Sequence, residues 1–365
     1  MAQEGLYAGL MSGTSLDGVD AVVADFSAPA VRILSHAHLS FEAGLRDALL
    51  ALTSPGADEI ERCGRLANVL ADVYARAFQA ALAKASTGAA RVLAIGCHGQ
   101  TIRHRPEQGF STQIGNAARL AELTGLTVVA DFRSRDLAAG GQGAPLVPAF
   151  HAVAFGDPRE HRAVVNIGGI ANVTLLSRDA PARGFDTGPG NCLMDAWAQL
   201  HLDRPLDAGG AWAASGRPLQ ALLARMLADP YFSRPAPKST GRELFSLRWL
   251  EHLLEGSEEP RAVQSTLLEL TVETIAAATG ASGSGIDRLI VCGGGARNAA
   301  LLDRLAQRLA PTPVETSDRF GLECEQVEAA AFAWLAKCAL LGVPANLPEV
   351  TGARGLRVLG AIYPA

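Results

Sequence analysis

Two segments about half a chain apart carry one pattern, and that repetition constrains the fold more than any other feature of the 365 residues. In the first, an apolar run ending at Leu10 meets the turn Met11-Ser12-Gly13-Thr14-Ser15-Leu16-Asp17-Gly18, and a second apolar run starts at Val19. In the second, Ala163-Val164-Val165-Asn166-Ile167 meets Gly168-Gly169 and resumes through Ile170-Ala171-Asn172-Val173. Each segment reads as a strand, a small polar turn and a strand. The chain is therefore expected to form two related lobes, each opening with an antiparallel hairpin and continuing into helices.

The first turn suits an anion and a cation together. Glycines allow positive φ and close main-chain approach, so N–H groups can converge on a phosphate. Thr14 and Ser15 add donors, and either Asp17 or Asp20 would orient a hydrated cation. Near the C-terminus the apolar strand Arg288–Cys292 runs into Gly293-Gly294-Gly295 and then an amphipathic helix from Asn298 to Leu309. Glycines at a helix start let a ribose, a phosphate or a base lie against the main chain. A nucleotide held between the two lobes is the expectation.

Elsewhere, alternating strands and helices point to an α/β architecture. Residues 31–39 alternate as a third strand, and 58–84 carry apolar positions every three or four residues, marking one buried helical face. Another strand spans 126–130, and 356–363 reads as a strand returning to the first lobe. The run Ala139-Gly140-Gly141-Gln142-Gly143-Ala144-Pro145 looks like a hinge, so the first lobe is placed at 1–135 with 348–365, and the second at 136–347. The loop 233–243 is too proline-rich for a helix and too cationic for burial, which fits a lid or a solvated connector.

With 32 basic against 37 acidic residues, a net charge of −5 and no dense basic run, nucleic acid and anionic membrane are poor partners, and a small molecule is the better one. Cys63, Cys97, Cys192, Cys292, Cys324 and Cys338 show neither paired nor metal-ligand spacing and read as small apolar residues in a reducing compartment. No secretory signal and no apolar run long enough to span a bilayer is present, so a cytoplasmic protein is expected.

Arg183-Gly184-Phe185-Asp186-Thr187-Gly188-Pro189-Gly190-Asn191 puts one carboxylate at the end of a short strand, before a glycine turn and a helix. Asp186 is the general-base candidate. Its Asp-Thr-Gly triplet occurs once, whereas an aspartic protease needs two such carboxylates sharing a proton. Arg133, just after a strand, would fork onto a substrate carboxylate or form an ion pair with Asp131 or Asp136. His98, Gln100 and His104 fit hydrogen bonding to substrate or to its neighbours better than zinc ligation, because their spacing matches no zinc template. Glu328 is a lone charge in a run of small apolar residues and either faces solvent or serves a site. Gly293-x-Gly295 with Glu315 half-imitates a dinucleotide fingerprint, but Asn298 stands where its third glycine belongs.

Taken together, Met11–Asp20, His98-Gly99-Gln100-Thr101, Ala130-Asp131-Phe132-Arg133, Asn166-Ile167-Gly168-Gly169, Phe185–Asn191, Lys238-Ser239-Thr240-Gly241-Arg242-Glu243 and Cys292–Asn298 closely resemble the anhydro-N-acetylmuramic acid kinases of bacterial cell-wall recycling. The resemblance spans nearly the whole chain. It implies the two-lobed fold shared by sugar kinases, acetate kinase and actin-like ATPases, built from duplicated ribonuclease H-like domains around an interlobe cleft. It also implies ATP and Mg²⁺ as cofactors, phosphorylation of O6 of 1,6-anhydro-N-acetylmuramic acid while water opens the anhydro bridge, and a homodimer. By this resemblance Gly13, Thr14, Ser15, Leu16, Asp17, Gly18, Val19 and Asp20 form the ATP phosphate loop, with Gly168, Gly169, Gly293, Gly294, Gly295 and Asn298 as further ATP contacts. Asp186 becomes the catalytic base. His98, Gln100, Arg133 and Glu328 become sugar contacts, with Arg133 assigned to the lactyl carboxylate. The competing expectation is a non-catalytic, ATP-gated binding protein of the actin or heat-shock type, which would turn over ATP without sugar dependence.

Overall fold

The computed structural model describes residues 5–28, 30–85, 87–88, 91–241, 244–280 and 285–365. The chain divides into two compact units, Met1–Ala154 with Glu325–Ala365, and Phe155–Cys324. The first unit contains β1 (Leu6–Met11), β2 (Gly18–Asp25), β3 (Arg32–Ser40), β4 (Val92–Cys97), β5 (Gln100–Arg105), β6 (Phe110–Ile114) and β7 (Val128–Ala130). The second contains β8 (Arg162–Ile167), β9 (Ile170–Leu176), β10 (Arg183–Pro189), β11 (Arg288–Cys292) and β12 (Val314–Thr316). A last strand, β13 (Ala361–Tyr363), returns to the first unit and pairs antiparallel with β7.

The repetition read from the sequence is present in the topology. In the first unit β3, β2 and β1 are antiparallel, and β4 and β7 follow in parallel. In the second, β10, β9 and β8 are antiparallel, and β11 and β12 follow in parallel. The two sheets thus share the order and sense of five strands, and the chain is α/β with a duplicated sheet. Each unit has its own apolar core. In the first, Leu10, Val23 and Ile95 pack with Leu70, Tyr74 and Phe78 of the helix Glu59–Lys84. In the second, Val165, Val173 and Val291 pack with Leu267 and Ile275 of the helix Pro260–Gly280. Each such side chain contributes about 1.5–3 kcal/mol when removed from water.

The unit boundaries fall at 154/155 and 324/325 rather than at 135/136 and 347/348. The glycine-rich run expected as a hinge is pinned inside the first unit. Buried Asp136 accepts hydrogen bonds from Gly143 N (2.8 Å), Asn346 Nδ2 (2.8 Å) and Thr351 Oγ1 (2.7 Å), tying this run to the C-terminal segment. The helix Val327–Leu341 also belongs to the first unit. It lies against a notch made by Gly9 and Gly96, which are neighbours in the β1–β4 ladder. A Cβ on Gly9 would stand 1.8 Å from the Ala329 carbonyl oxygen, and one on Gly96 2.0 Å from that of Phe332. Among the described residues no helix is long and apolar enough to cross a membrane.

Candidate active site

In the first unit the polar turn between β1 and β2 is fastened from below. Ser12 Oγ meets the buried Tyr74 hydroxyl at 2.7 Å, Gln100 Nε2 donates to Gly13 O at 3.1 Å, and Leu16 buries its side chain while its own φ is +56°. Leu16 N closes the turn on Gly13 O at 3.3 Å. A branched residue in the left-handed region costs on the order of 1–3 kcal/mol, and such strain is typically held at functional turns. Thr14 and Asp17 are left exposed on the outer side. Ser15 Oγ donates to Asp17 Oδ1 at 2.7 Å. Asp20 sits on β2, where its Oδ1 lies 2.9 Å from His36 Nε2 and 3.0 Å from His38 Nδ1 of β3.

His98, Gln100, Arg133 and Glu328 all belong to this same unit. Arg133 donates through Nη1 to Gly143 O at 2.6 Å and through Nη2 to His98 Nε2 at 2.8 Å. Because a guanidinium can only donate, His98 Nε2 must be the acceptor and the imidazole proton sits on Nδ1. Burial, and then the Arg133 charge, hold the His98 pKa well below its ordinary value, so this imidazole is neutral. His104 is pushed down to about 4 by the same two causes in the same order. The two aspartates considered as partners of Arg133 bond elsewhere as well: Asp131 Oδ1 accepts from Ser134 Oγ at 2.6 Å, and Asp136 forms the clasp described above. Gln100 is buried, and its Oε1 meets no protein donor. Glu328, half-buried, lies in the first turn of the helix Val327–Leu341, one turn before Phe332. The Phe332 ring lies 4.6 Å from that of His98 and 5.4 Å from that of Phe132.

The second unit holds Asp186. Its strand β10 continues to Pro189, and Asp186 stands inside it rather than at its end. A register shift between Asp186 and Gly188 places Thr187 as an extra residue in the ladder, and a bulge of this kind re-aims a side chain without ending the strand. Thr240 N donates to Asp186 Oδ2 at 3.0 Å, a bond that favours the ionised carboxylate. The main chain of Asp186 is held as well, its N–H donating to Lys238 O at 3.2 Å and its carbonyl accepting from Tyr231 Oη at 2.7 Å.

The loop carrying these contacts, read from the sequence as a lid or a solvated connector, keeps Ser233, Arg234, Pro235 and Pro237 exposed, and it is held to β10 where Lys238 finds a place for its charge. Its Nζ sits 4.8 Å from the Tyr231 ring centroid and 5.7 Å from that of Phe185, and donates to the carbonyls of Tyr231 (3.3 Å) and Phe232 (3.2 Å). Burial, and then Arg234, lower its pKa, while Asp186 acts in the opposite direction. Arg242 and Glu243 of the same motif lie outside the described residues. Sequence reasoning missed Tyr231, Thr240 and Asn172 as neighbours of Asp186. The available signal was a polar residue facing Asp186 across an otherwise apolar strand pair.

The glycines assigned to nucleotide separate by role. Gly168 O accepts from Asn191 N at 2.8 Å and Gly169 O from Gly190 N at 2.9 Å, so the carbonyls of this turn hold the start of the helix Cys192–Leu202. Gly293, at φ +79°, passes so close to β8 that a Cβ would lie 2.1 Å from Asn166 Oδ1, and a Cβ on Gly295 would lie 2.3 Å from Ile167 Cγ2. Gly294 has open space beside it. Asn298 caps the next helix, its side chain accepting from Leu301 N at 3.0 Å. Among the described residues no three His, Cys, Asp or Glu side chains gather as a metal cage. Magnesium in phosphate chemistry is commonly held by one or two carboxylates, waters and the phosphates themselves.

A sequence model of the family described as anhydro-N-acetylmuramic acid kinase matches residues 5–365. The chain is 52% identical over 361 residues to the anhydro-N-acetylmuramic acid kinase of Nitrosomonas europaea, covering 98% of this chain and 99% of the relative. It is 54% identical over 371 residues to that of Variovorax paradoxus, covering 99% of each. Among solved structures, a xylulose kinase from Rhodospirillum rubrum superposes with a TM-score of 0.46 at 14% identity, covering 91% of this chain and 89% of that one.

Proposed function

The chain belongs to the anhydro-N-acetylmuramic acid kinase family, a family of ATP-using phosphotransferases, and from that premise we propose that it phosphorylates 1,6-anhydro-N-acetylmuramic acid at O6 while water cleaves the 1,6-anhydro bridge. Asp186 takes one proton from the water. The water oxygen bonds to C1, the C1–O6 bond breaks with its electron pair moving to O6, O6 bonds to the γ-phosphorus, and the bond from that phosphorus to ADP breaks. The products are N-acetylmuramic acid 6-phosphate and ADP. No second carboxylic acid is needed, because the departing O6 is captured by phosphorus rather than by a proton.

The observation that carries this reading is the support around Asp186. A main-chain N–H fixes one carboxylate oxygen, and both main-chain groups of the residue are tied down. A general base works only when held within hydrogen-bond reach of the proton it takes. In the first unit, the turn from Gly13 to Asp20 would receive the ATP phosphates, and Gly168, Gly169, Gly293, Gly294, Gly295 and Asn298 remain assigned to the nucleotide. His98, Gln100, Arg133 and Glu328 would hold the sugar. Of the two acids considered for Mg²⁺, Asp17 fits better, being exposed with a single hydroxyl partner, whereas Asp20 Oδ1 already lies against two imidazoles. When bound, the ion offsets charge on the transferring phosphoryl group. A cytoplasmic homodimer belongs to the same proposal.

Incubation with ATP, Mg²⁺ and the anhydro sugar in ¹⁸O-labelled water tests the reaction by mass spectrometry. The label is expected at C1 together with phosphate at O6. Phosphorylated product retaining the anhydro ring, or an unlabelled C1, would refute the coupled cleavage. Arg133→Ala is expected to raise KM for the muramic substrate about tenfold or more, the scale of a charge-assisted hydrogen bond, and to leave KM for ATP within about twofold. An anhydro-glucosamine analogue lacking the lactyl group should show no such change. Equal effects on the two sugars would reject the carboxylate contact.

A further inference from the structure

The segment beside Asp186 is fastened to β10 at both of its ends. At one end Tyr231 Oη donates to the Asp186 carbonyl at 2.7 Å, and the Phe232 ring fills the notch beside Gly188, where a Cβ would lie 2.7 Å from Phe232 Cε1. At the other end Lys238 O accepts from Asp186 N at 3.2 Å, and Thr240 N donates to Asp186 Oδ2 at 3.0 Å. The Lys238 ammonium ties the two ends together. It donates back to the carbonyls of Tyr231 (3.3 Å) and Phe232 (3.2 Å), so one side chain closes residues 231–238 into a ring that grips Asp186 from both ends. A lysine at the surface would ordinarily keep its ammonium in water, where it is best solvated. Here the ammonium turns inward, 4.8 Å from the centroid of the Tyr231 ring and 5.7 Å from that of Phe185, the residue before Asp186. A positive charge is thereby placed next to the base.

From this geometry we infer that Lys238 is the positioning residue of the base, holding the Asp186 carboxylate in place through the closed ring and holding it ionised through its charge. The inference rests on the function proposed above and adds a residue to it. Burial, and then Arg234, push the Lys238 ammonium toward losing its proton, and Asp186 opposes them. That opposition is mutual, because the interaction free energy that retains the proton on Lys238 equally favours its loss from Asp186. Two other titratable groups act on the pair. Arg234 adds positive charge from the same segment, and Tyr231 stays a neutral donor because burial, and then Asp186, push its hydroxyl pKa up. Asn172, which faces Asp186 from β9, carries no charge. A carboxylate takes a proton from water only while it is ionised, so a neighbouring cation extends the working range of this base toward acid pH.

Lys238→Met, Lys238→Arg and Tyr231→Phe separate the charge from the tether. Methionine keeps most of the side-chain length but loses the charge and the donors, arginine keeps both, and phenylalanine at position 231 loosens the tether with the charge left in place. Wild-type protein forming labelled 6-phosphate product from ATP and anhydro sugar is the control. Without it the functional reading fails and takes this inference with it. With that control in hand, kcat is followed across pH, its acid limb reporting the base in the bound complex. Lys238→Met is expected to lower the plateau kcat by about tenfold or more, with KM for ATP within about twofold. It should also move the acid limb up by about half a pH unit or more, because a carboxylate deprived of its neighbouring cation takes a proton more readily. Lys238→Arg should return the limb to within about 0.2 unit of wild type, and Tyr231→Phe should leave it there. If Lys238→Met is insoluble, Lys238→Gln, which keeps a donor for the two carbonyls, replaces it with the same expected limb. A limb that stays in place in the uncharged variant, or a plateau kcat within about threefold of wild type, overturns the inference. An equal movement of the limb in Tyr231→Phe also overturns it, since that would trace the effect to a loosened segment rather than to charge.

Discussion

Asp186→Asn is expected to lower kcat for the anhydro sugar by on the order of a thousandfold, within the range general-base catalysis supplies, while KM for ATP stays within about twofold. The substitution is nearly isosteric, and the contacts around residue 186 explain why it should be clean. Thr240 N can still donate to the remaining side-chain oxygen, and the bonds from residue 186 N to Lys238 O and from Tyr231 Oη to the residue 186 carbonyl involve only main chain at that position. The strand, its bulge and the loop over it should therefore remain in place, and the melting temperature should change little. What disappears is the capacity to take a proton, because an amide oxygen accepts a hydrogen bond but is not a base at neutral pH. Steady-state kinetics with each substrate varied provides the measurement. Residual turnover within tenfold of wild type would remove Asp186 from the mechanism, and a matching collapse of ATP affinity would show that the residue holds nucleotide instead.

Much of the architecture was legible because its signals are local. The two hairpins follow from apolar runs flanking polar turns, the helix Glu59–Lys84 from its spacing, and β11 with its following helix from an apolar run, a glycine turn and an amphipathic pattern. What could not be read depends on partners distant in sequence. The helix Val327–Leu341 is apolar nearly all round, so its pattern marks it as buried without saying which sheet it covers. Only the glycine notch on β1 and β4 answers that. The loop 233–241 is too cationic to be buried and is not, but nothing local to Lys238 reveals the two aromatic rings and two carbonyls that receive its ammonium. Asp186 was recognisable as a candidate base from its setting among glycines, but Thr240, 54 positions away, was not recognisable as its partner.

The same notch sets up the largest expected effect on stability. Gly9→Ala should destabilise the protein by about 3 kcal/mol or more, the upper end of what overpacking costs. The reason lies in what the new methyl would meet. Its nearest neighbours are the Ala329 carbonyl oxygen at 1.8 Å and Ala333 N at 2.8 Å, both main-chain atoms of a helix that cannot swing aside as a side chain would. Relief requires the whole helix to move, and Gly96 opposes movement along the neighbouring strand because Phe332 O already lies where its Cβ would be. Any displacement is carried to Phe332, whose ring packs at a tilt against that of His98, the acceptor of the Arg133 guanidinium. Loss of stability should thus be accompanied by a raised KM for the sugar in whatever folded fraction survives. Gly64→Ala supplies the contrast. That glycine lies within the helix Glu59–Lys84 with nothing near its missing Cβ, so alanine there should stabilise by about 0.5–1 kcal/mol through helix propensity alone. Urea denaturation of the two variants beside wild type reads both signs at once. If Gly9→Ala shifted the midpoint no further than Gly64→Ala does, close contact between β1 and this helix would not be what holds the first unit together.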